Sequence, residues 1–182
     1  MTKKKTRFPK NFFSISFKYG IFSALIMAVL TFIFYMIIGS ASRPVLVWNY
    51  IILLLMMYFS VKEYRNKLKG YISFKECYIS GLFFGLTASI LVGVFVYINT
   101  KYIDKQLISN FIAVNETAMR QYISGEELIK QQNILYRFSS PIFMGFRAMG
   151  ELTLMSLFLP LLMSILLKKE KRIKESNEST ND

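Results

Sequence analysis

Three stretches of this chain carry no charged side chain: Tyr19 to Ser40, Val45 to Val61 and Cys77 to Ile98. Each is apolar on every side, and each approaches the ~20 residues a helix needs to cross a hydrocarbon core about 30 Å thick. A fourth apolar stretch, Pro141 to Leu167, is interrupted by Arg147 and Glu151, after which Leu152 to Leu167 is again free of charge. A membrane barrel strand would be about 10 residues long with apolar and polar positions alternating, so these runs predict helices. The expected fold class is all-α: a polytopic membrane protein with four transmembrane helices over about 17-40, 45-61, 76-98 and 147-167. An extracytoplasmic helical insertion, 99-140, is expected between the third and fourth.

The insertion has a pattern of its own. Ile103, Leu107, Phe111, Ala118 and Tyr122 recur at near-helical spacing, and Leu128, Ile129, Ile134, Leu135 and Phe138 continue an apolar stripe. Between them Ser124 followed by Glu127 has the spacing of a capping box. The segment predicts two amphipathic helices broken at Ser124-Gly125. They either fold against the outer mouth of the bundle or lie at the membrane interface, and packing on the protein's own helices is expected ahead of a binding lid. Residues 1-14 read as a basic cytoplasmic segment, and 169-182 as a charged cytoplasmic tail with nothing to bury, hence disordered.

Composition agrees with the pattern: 53% of the residues are hydrophobic and mean hydropathy is +0.37, too apolar for an ordinary soluble domain of this length. The net charge of +12 would suggest a nucleic-acid partner in a soluble protein. Its distribution says otherwise. With the N-terminus inside, sixteen of the 23 lysines and arginines fall on cytoplasmic segments, and the seven outside are Arg43, Lys101, Lys105, Arg120, Lys130, Arg137 and Arg147. The positive-inside rule therefore sets both termini in the cytoplasm. The surplus charge implies attraction to anionic lipid headgroups rather than nucleic acid. The apolar part of residues 1 to 41 is longer than the ~7 to 15 residues of a signal-peptide core, so the first span is expected to stay uncleaved.

One short phrase occurs twice: "ISFKYGIFSAL" at Ile15 to Leu25 and "ISFKECYISGL" at Ile72 to Leu82. Each copy is expected where a helix leaves the cytoplasmic interface, Lys reaching the headgroups and Phe anchoring in lipid. Duplication of a hairpin and similar anchoring needs both account for it. Small residues follow each copy every four positions: Ser16, Gly20, Ala24 and Ala28 in the first helix, Cys77, Gly81, Gly85, Ser89 and Gly93 in the third. In lipid such stripes mark close helix packing. The expected seam is the first helix on the third, with a chain-on-chain contact as the other reading.

Candidate chemistry is sparse. The chain has one cysteine and no histidine, which excludes an internal disulfide and any histidine-based triad or metal site. Glu76 and Glu151 are expected near opposite ends of the bundle, too far apart for paired acid-base work. Neither a catalytic, a metal nor a cofactor-binding residue is expected. Arg147 and Glu151, four residues apart on one helix face, are the one polar pair of note, near the outer end of the fourth span: the favoured reading is an ordinary interfacial pair just outside the hydrocarbon, the other an ion pair or the lining of a small outer cavity.

Several phrases together resemble a known family. They are Lys18-Tyr19-Gly20 leading into the first helix, Tyr64-Arg65 closing the first hairpin, "GYISFKECYISG" before the third helix, "YIDKQL" opening the outer segment, and Lys168-Lys169 after the last helix. The layout resembles the bacterial membrane family catalogued as domain of unknown function 4199, over roughly Phe12 to Lys171. The resemblance implies a four-helix inner-membrane protein with an outer helical insertion and no assigned activity or catalytic residues. The expected role is non-enzymatic, an accessory or scaffolding protein with a membrane protein partner or a second copy of itself. The alternative is a small oligomeric transporter or channel component.

Overall fold

The structure, a computed structural model, describes residues 12–38, 43–104 and 106–168. The expectations for the basic segment before Phe12 and for the charged tail after Lys168 lie outside the described residues. Six α-helices and a π-helical turn follow in order: α1 (Phe12–Ile38), α2 (Arg43–Lys67), α3 (Phe74–Ile98), the π-helical turn Asn99–Ile103, α4 (Gln106–Tyr122), α5 (Glu126–Arg137) and α6 (Pro141–Leu167). Among the described residues three helices are long and apolar enough to cross a membrane, Phe13–Ile37, Phe74–Ile103 and Pro141–Leu167.

The helices outrun the charge-free stretches that predict them. α1 has begun by Phe12 rather than 17, α2 continues past Val61 to Lys67, and α6 starts at Pro141 rather than 147. A lysine or arginine breaks a hydropathy run but not a helix, because its helix propensity is close to that of leucine and its stem lies along apolar neighbours. Pro141 suits a helix start, where its missing N–H is no loss.

Between α4 and α5 the chain turns at residues 123–125, but the expected Ser124–Glu127 capping box does not form. Gly125, at φ 67°, is the capping residue and no side-chain cap hydrogen bond is made. That left-handed conformation is open to glycine and strained for most other residues. A capping box is present instead at the start of α3. There the Glu76 N–H donates to Ser73 Oγ at 3.3 Å and the Ser73 N–H donates to Glu76 Oε2 at 3.0 Å.

The three other long helices, α1, α2 and α6, pack around α3. One apolar cluster joins Ala24 and Met27 of α1, Leu53 and Met57 of α2, Phe84, Ala88 and Val92 of α3, and Leu152 and Met163 of α6. A second cluster, Ile15, Val61, Tyr64, Ile72 and Cys77 with Leu167 against it, ties the start of α1, the end of α2, the start of α3 and the end of α6 together. α1 and α3 therefore run parallel, and α2 and α6 run antiparallel to them. α4 and α5 contribute little to this core: α4 buries no residue and α5 only Leu135.

The repeated phrase does not occupy equivalent places. Ser16 Oγ lies 3.1 Å from Ser80 Oγ, and Gly20 packs on Phe84 and Thr87. The first copy therefore sits about two turns further along the bundle than the second, which carries the cap of α3. Only the second copy has Glu three residues after the serine, and that carboxylate makes it a helix start.

Candidate functional site

Three glycines and a serine decide how α3 and α6 meet. A Cβ added at Gly81 would lie 2.8 Å from Pro160 Cβ, and one at Gly93 would lie 2.9 Å from Met149 Cβ and 3.0 Å from the Gly145 carbonyl. A Cβ at Gly85 would overlap Ser156. Between them Thr153 Oγ1 donates to Ser89 Oγ at 3.0 Å. The α3 stripe thus faces α6, not α1 as expected from the sequence. The α1 stripe does lie against α3, but on a different face: Ser16 meets Ser80, Gly20 meets Phe84 and Thr87, Ala24 is buried and Ala28 half-buried. α3 is the central helix, and a stripe shows that a face is close-packed without naming the neighbour.

This register sets the depth of the polar pair. With Thr153 on Ser89 and Met149 on Gly93, Glu151 falls level with Leu91 of α3 and Arg147 level with Phe95. At the other end Lys18 lies 4.0 Å from Glu63, and the Ser16–Ser80 contact sets that pair near the level of Phe83. From Phe83 to Lys101 the rise is roughly 27 Å at ~1.5 Å per residue, close to the thickness of a hydrocarbon core. Within that band Arg147 and Glu151 are the charged side chains among the described residues of the four long helices. Glu151 is near its middle and Arg147 nearer the Pro141 end, a register set by the small-residue contacts along α3.

Arg147 Nε donates to Glu151 Oε1 at 2.9 Å, and the two side chains are 54% and 42% exposed. The Arg147 guanidinium carbon stands 4.7 Å from the centroid of the Phe111 ring on α4, a cation–π geometry. Helical side chains lean toward the N-terminus, so both members of the pair reach toward the Pro141 end. Beside them α4, α5 and the first turns of α6 enclose an open cleft of about 480 Å³. Its walls include Phe111, Ile134, Phe138, Phe143 and Phe146, and among the described residues Arg147 is its one charged lining residue. Phe138 and Phe143 meet edge to face at 4.9 Å. The hydrophobic spacing of the outer segment foreshadows these aromatic positions, but nothing in the sequence pairs Phe111 with Arg147.

Two polar clusters escaped the sequence reading. Glu63 of α2 lies 3.3 Å from Lys67 and bridges to Lys18 of α1; the i, i+4 spacing of Glu63 and Lys67 is the signal that would have found half of it. On the hairpin, Glu116 Oε1 accepts from Tyr136 Oη at 2.7 Å and from Gln132 Nε2 at 3.4 Å, fastening α5 to α4. That hydrogen bond, reinforced by the carboxylate charge, raises the Tyr136 pKa above its ordinary value. Cys77 is buried and unpaired, and among the described residues no group of His, Cys, Asp and Glu could hold a metal ion.

A family model described as protein of unknown function (DUF4199) matches residues 18–169, a range that takes in the seam, the ion pair and the cleft. No curated protein and no solved structure matches the chain.

Proposed function

We infer, from the premise that this chain belongs to the DUF4199 family of proteins of unknown function, that it is a four-span protein of the bacterial cytoplasmic membrane. Its role is that of a non-enzymatic accessory or scaffolding subunit, with the α4–α5 hairpin as its extracytoplasmic docking element. The fourth span is α2. Because α1 and α3 run parallel, the chain must return between them, and α2 makes that return through Leu53 and Met57 in the shared core, with 45–61 free of charge. The excess of lysine and arginine at the end where Ile15 meets Leu167 supports termini in the cytoplasm.

The observation that carries the docking role is the exposed apolar surface of the hairpin. Val114 and Ile129 are each 59% exposed and Tyr122 is 86% exposed, and no residue of α4 is fully buried. Such a surface fits an apolar face of another membrane protein close to the bilayer. A photo-crosslinking residue at Val114 or Ile129 should capture one stoichiometric protein in native membranes, and the same residue at Ser109 should not. Equal capture from both positions, or none from either, refutes the docking role. Topology is checked with Cys77→Ser as background. A cysteine at the exposed Ser124 should react with an impermeant thiol reagent in intact cells, and one at Asn66 should not; the reverse overturns the orientation.

The position of Glu151 near the middle of the band favours a second reading, a small transporter. Four helices packed on one another enclose little pathway, so this reading requires oligomers. It predicts that Arg147→Ala and Glu151→Gln abolish solute flux in liposomes while leaving assembly intact.

A further inference from the structure

The α4–α5 hairpin holds itself together more firmly than it holds the bundle. Glu116 of α4 accepts from Tyr136 and Gln132 of α5, whereas no residue of α4 is fully buried and α5 buries only Leu135 among the described residues. Backbone packing of the hairpin runs between α4 and α5 and onto the π-helical turn, with little against the four long helices. Sparse packing and few buried apolar contacts mark a unit that opens at low cost. The hairpin joins the bundle at two short joints. After α3 the chain widens into the π-helical turn Asn99–Ile103, and Asp104, at φ −107° and ψ 80°, is neither helical nor extended. Before α6, Phe138 ends α5 and Ser140, at φ −98° and ψ 158°, is extended. Hinges are built from such element-terminal residues, and π-helical turns gather at functional positions.

Two features act on this unit in opposite directions. Phe111 on the Arg147 guanidinium and Phe138 on Phe143 fasten the hairpin to α6. Asp104 works against them. Its side chain is 1% exposed; Oδ1 accepts the Leu107 N–H at 3.0 Å, while Oδ2 is buried and receives no hydrogen bond among the described residues. A buried polar oxygen without a partner is costly, and this one lies at the joint, where a swing of α4 admits water. We propose that the hairpin moves as one rigid body between a latched position, with Phe111 on Arg147, and a released position in which that contact is broken and Asp104 is hydrated. With α4 roughly 25 Å long at ~1.5 Å per residue, a rotation of about 20° moves the tip on the order of 9 Å. The device goes beyond the docking reading and does not require it: a partner that prefers one position shifts the balance, but both positions exist without it.

The test is pulsed electron paramagnetic resonance on the full-length chain in lipid nanodiscs, in a Cys77→Ser background, with spin labels on cysteines at Ser124 in the hairpin tip and Val47 of α2, both exposed. The expected result is two distance populations. Arg147→Gln and Phe111→Leu should each raise the ratio of released to latched about fivefold, the effect of losing one cation–π contact. Asp104→Asn keeps an acceptor for the Leu107 N–H and removes the charge, so it should lower that ratio. Labels at Ser109 and Lys130, one on each helix of the hairpin, should give a single distance in every variant, because the hairpin moves whole. A tip distance that neither latch variant changes, a shift in only one of the two, a rise in Asp104→Asn, or a Ser109–Lys130 distance that spreads along with the tip distance would overturn the proposal. Circular dichroism checks the helix content of each variant, and if Arg147→Gln loses helix, Phe111→Leu, which leaves the ion pair in place, decides the latch.

Discussion

Replacing Gly85 with alanine tests the α3–α6 seam at its tightest point. The new Cβ overlaps both the hydroxyl oxygen and the Cβ of Ser156, and lies 3.3 Å from its Cα. Rotating the hydroxyl does not relieve a clash with a Cβ fixed to the backbone, so the helices must part by roughly 1 Å to regain ordinary contact. Overpacking of this kind costs about 1–3 kcal/mol. The parting also spreads, because Gly81 on Pro160 and Gly93 on Gly145 lie on the same face, and a gap of ~0.5–1 Å forfeits a quarter to a half of each dispersion contact. Ser156→Gly removes both overlapped atoms. Alone it costs about 1 kcal/mol as a glycine in a helix, and it also loses the hydroxyl bond to the Leu152 carbonyl. Together the two changes exchange the large and small sides of the contact. The double variant should be more stable than the sum of the singles by about 1–2 kcal/mol. Equilibrium unfolding in mixed micelles, followed by helical circular dichroism against the mole fraction of dodecyl sulfate, reads all four proteins on one scale. A Gly85→Ala protein that unfolds where the parent does, or a strictly additive cycle, would refute the seam.

Three further outcomes are expected. Arg147→Ala leaves Glu151 without its counter-charge and should destabilise the chain by about 1–2 kcal/mol, below the figure for a fully buried pair because both side chains are about half exposed. Adding Glu151→Gln should restore most of that loss in the same unfolding assay, and no recovery would count against the pair. Ser73→Ala removes the cap of α3 and should cost about 1 kcal/mol, whereas Ser124→Ala should cost nothing measurable because Gly125 is the residue at the helix boundary. Tyr136 should titrate above the ordinary tyrosine value of 10.0 because Glu116 holds its hydroxyl. With the folded value raised, the stabilisation from this bond is complete below pH ~10 and fades as pH climbs through the folded pKa. The phenolate difference spectrum between the parent and Tyr136→Phe reports that titration, and Glu116→Gln should bring it back to the ordinary value.

Much of the architecture is legible in the linear pattern. Long charge-free runs can only be helices in a low-dielectric setting, since no other open structure satisfies its own backbone there. The break between α4 and α5 is marked by Gly125, because few residues other than glycine adopt a left-handed φ at no steric cost. The four-residue spacing of Gly81, Gly85, Ser89 and Gly93 announces a close-packed face, since residues at i, i+4 share one side of a helix.

What the pattern does not contain is the neighbour and the register. A helix face presents the same small residues whichever partner meets it, so only three-dimensional packing chose α6 for the α3 stripe and α3 for the α1 stripe. The slide of α6 along α3 is set by Pro160 on Gly81 and Gly145 on Gly93, contacts between residues far apart in sequence. That slide set Glu151 level with Leu91 and Arg147 level with Phe95, and it brought Phe111 over the guanidinium. Hydrophobicity and helix period are properties of single segments and are written in the chain. Depth and enclosure are properties of pairs of segments, and only shape complementarity between them decides those.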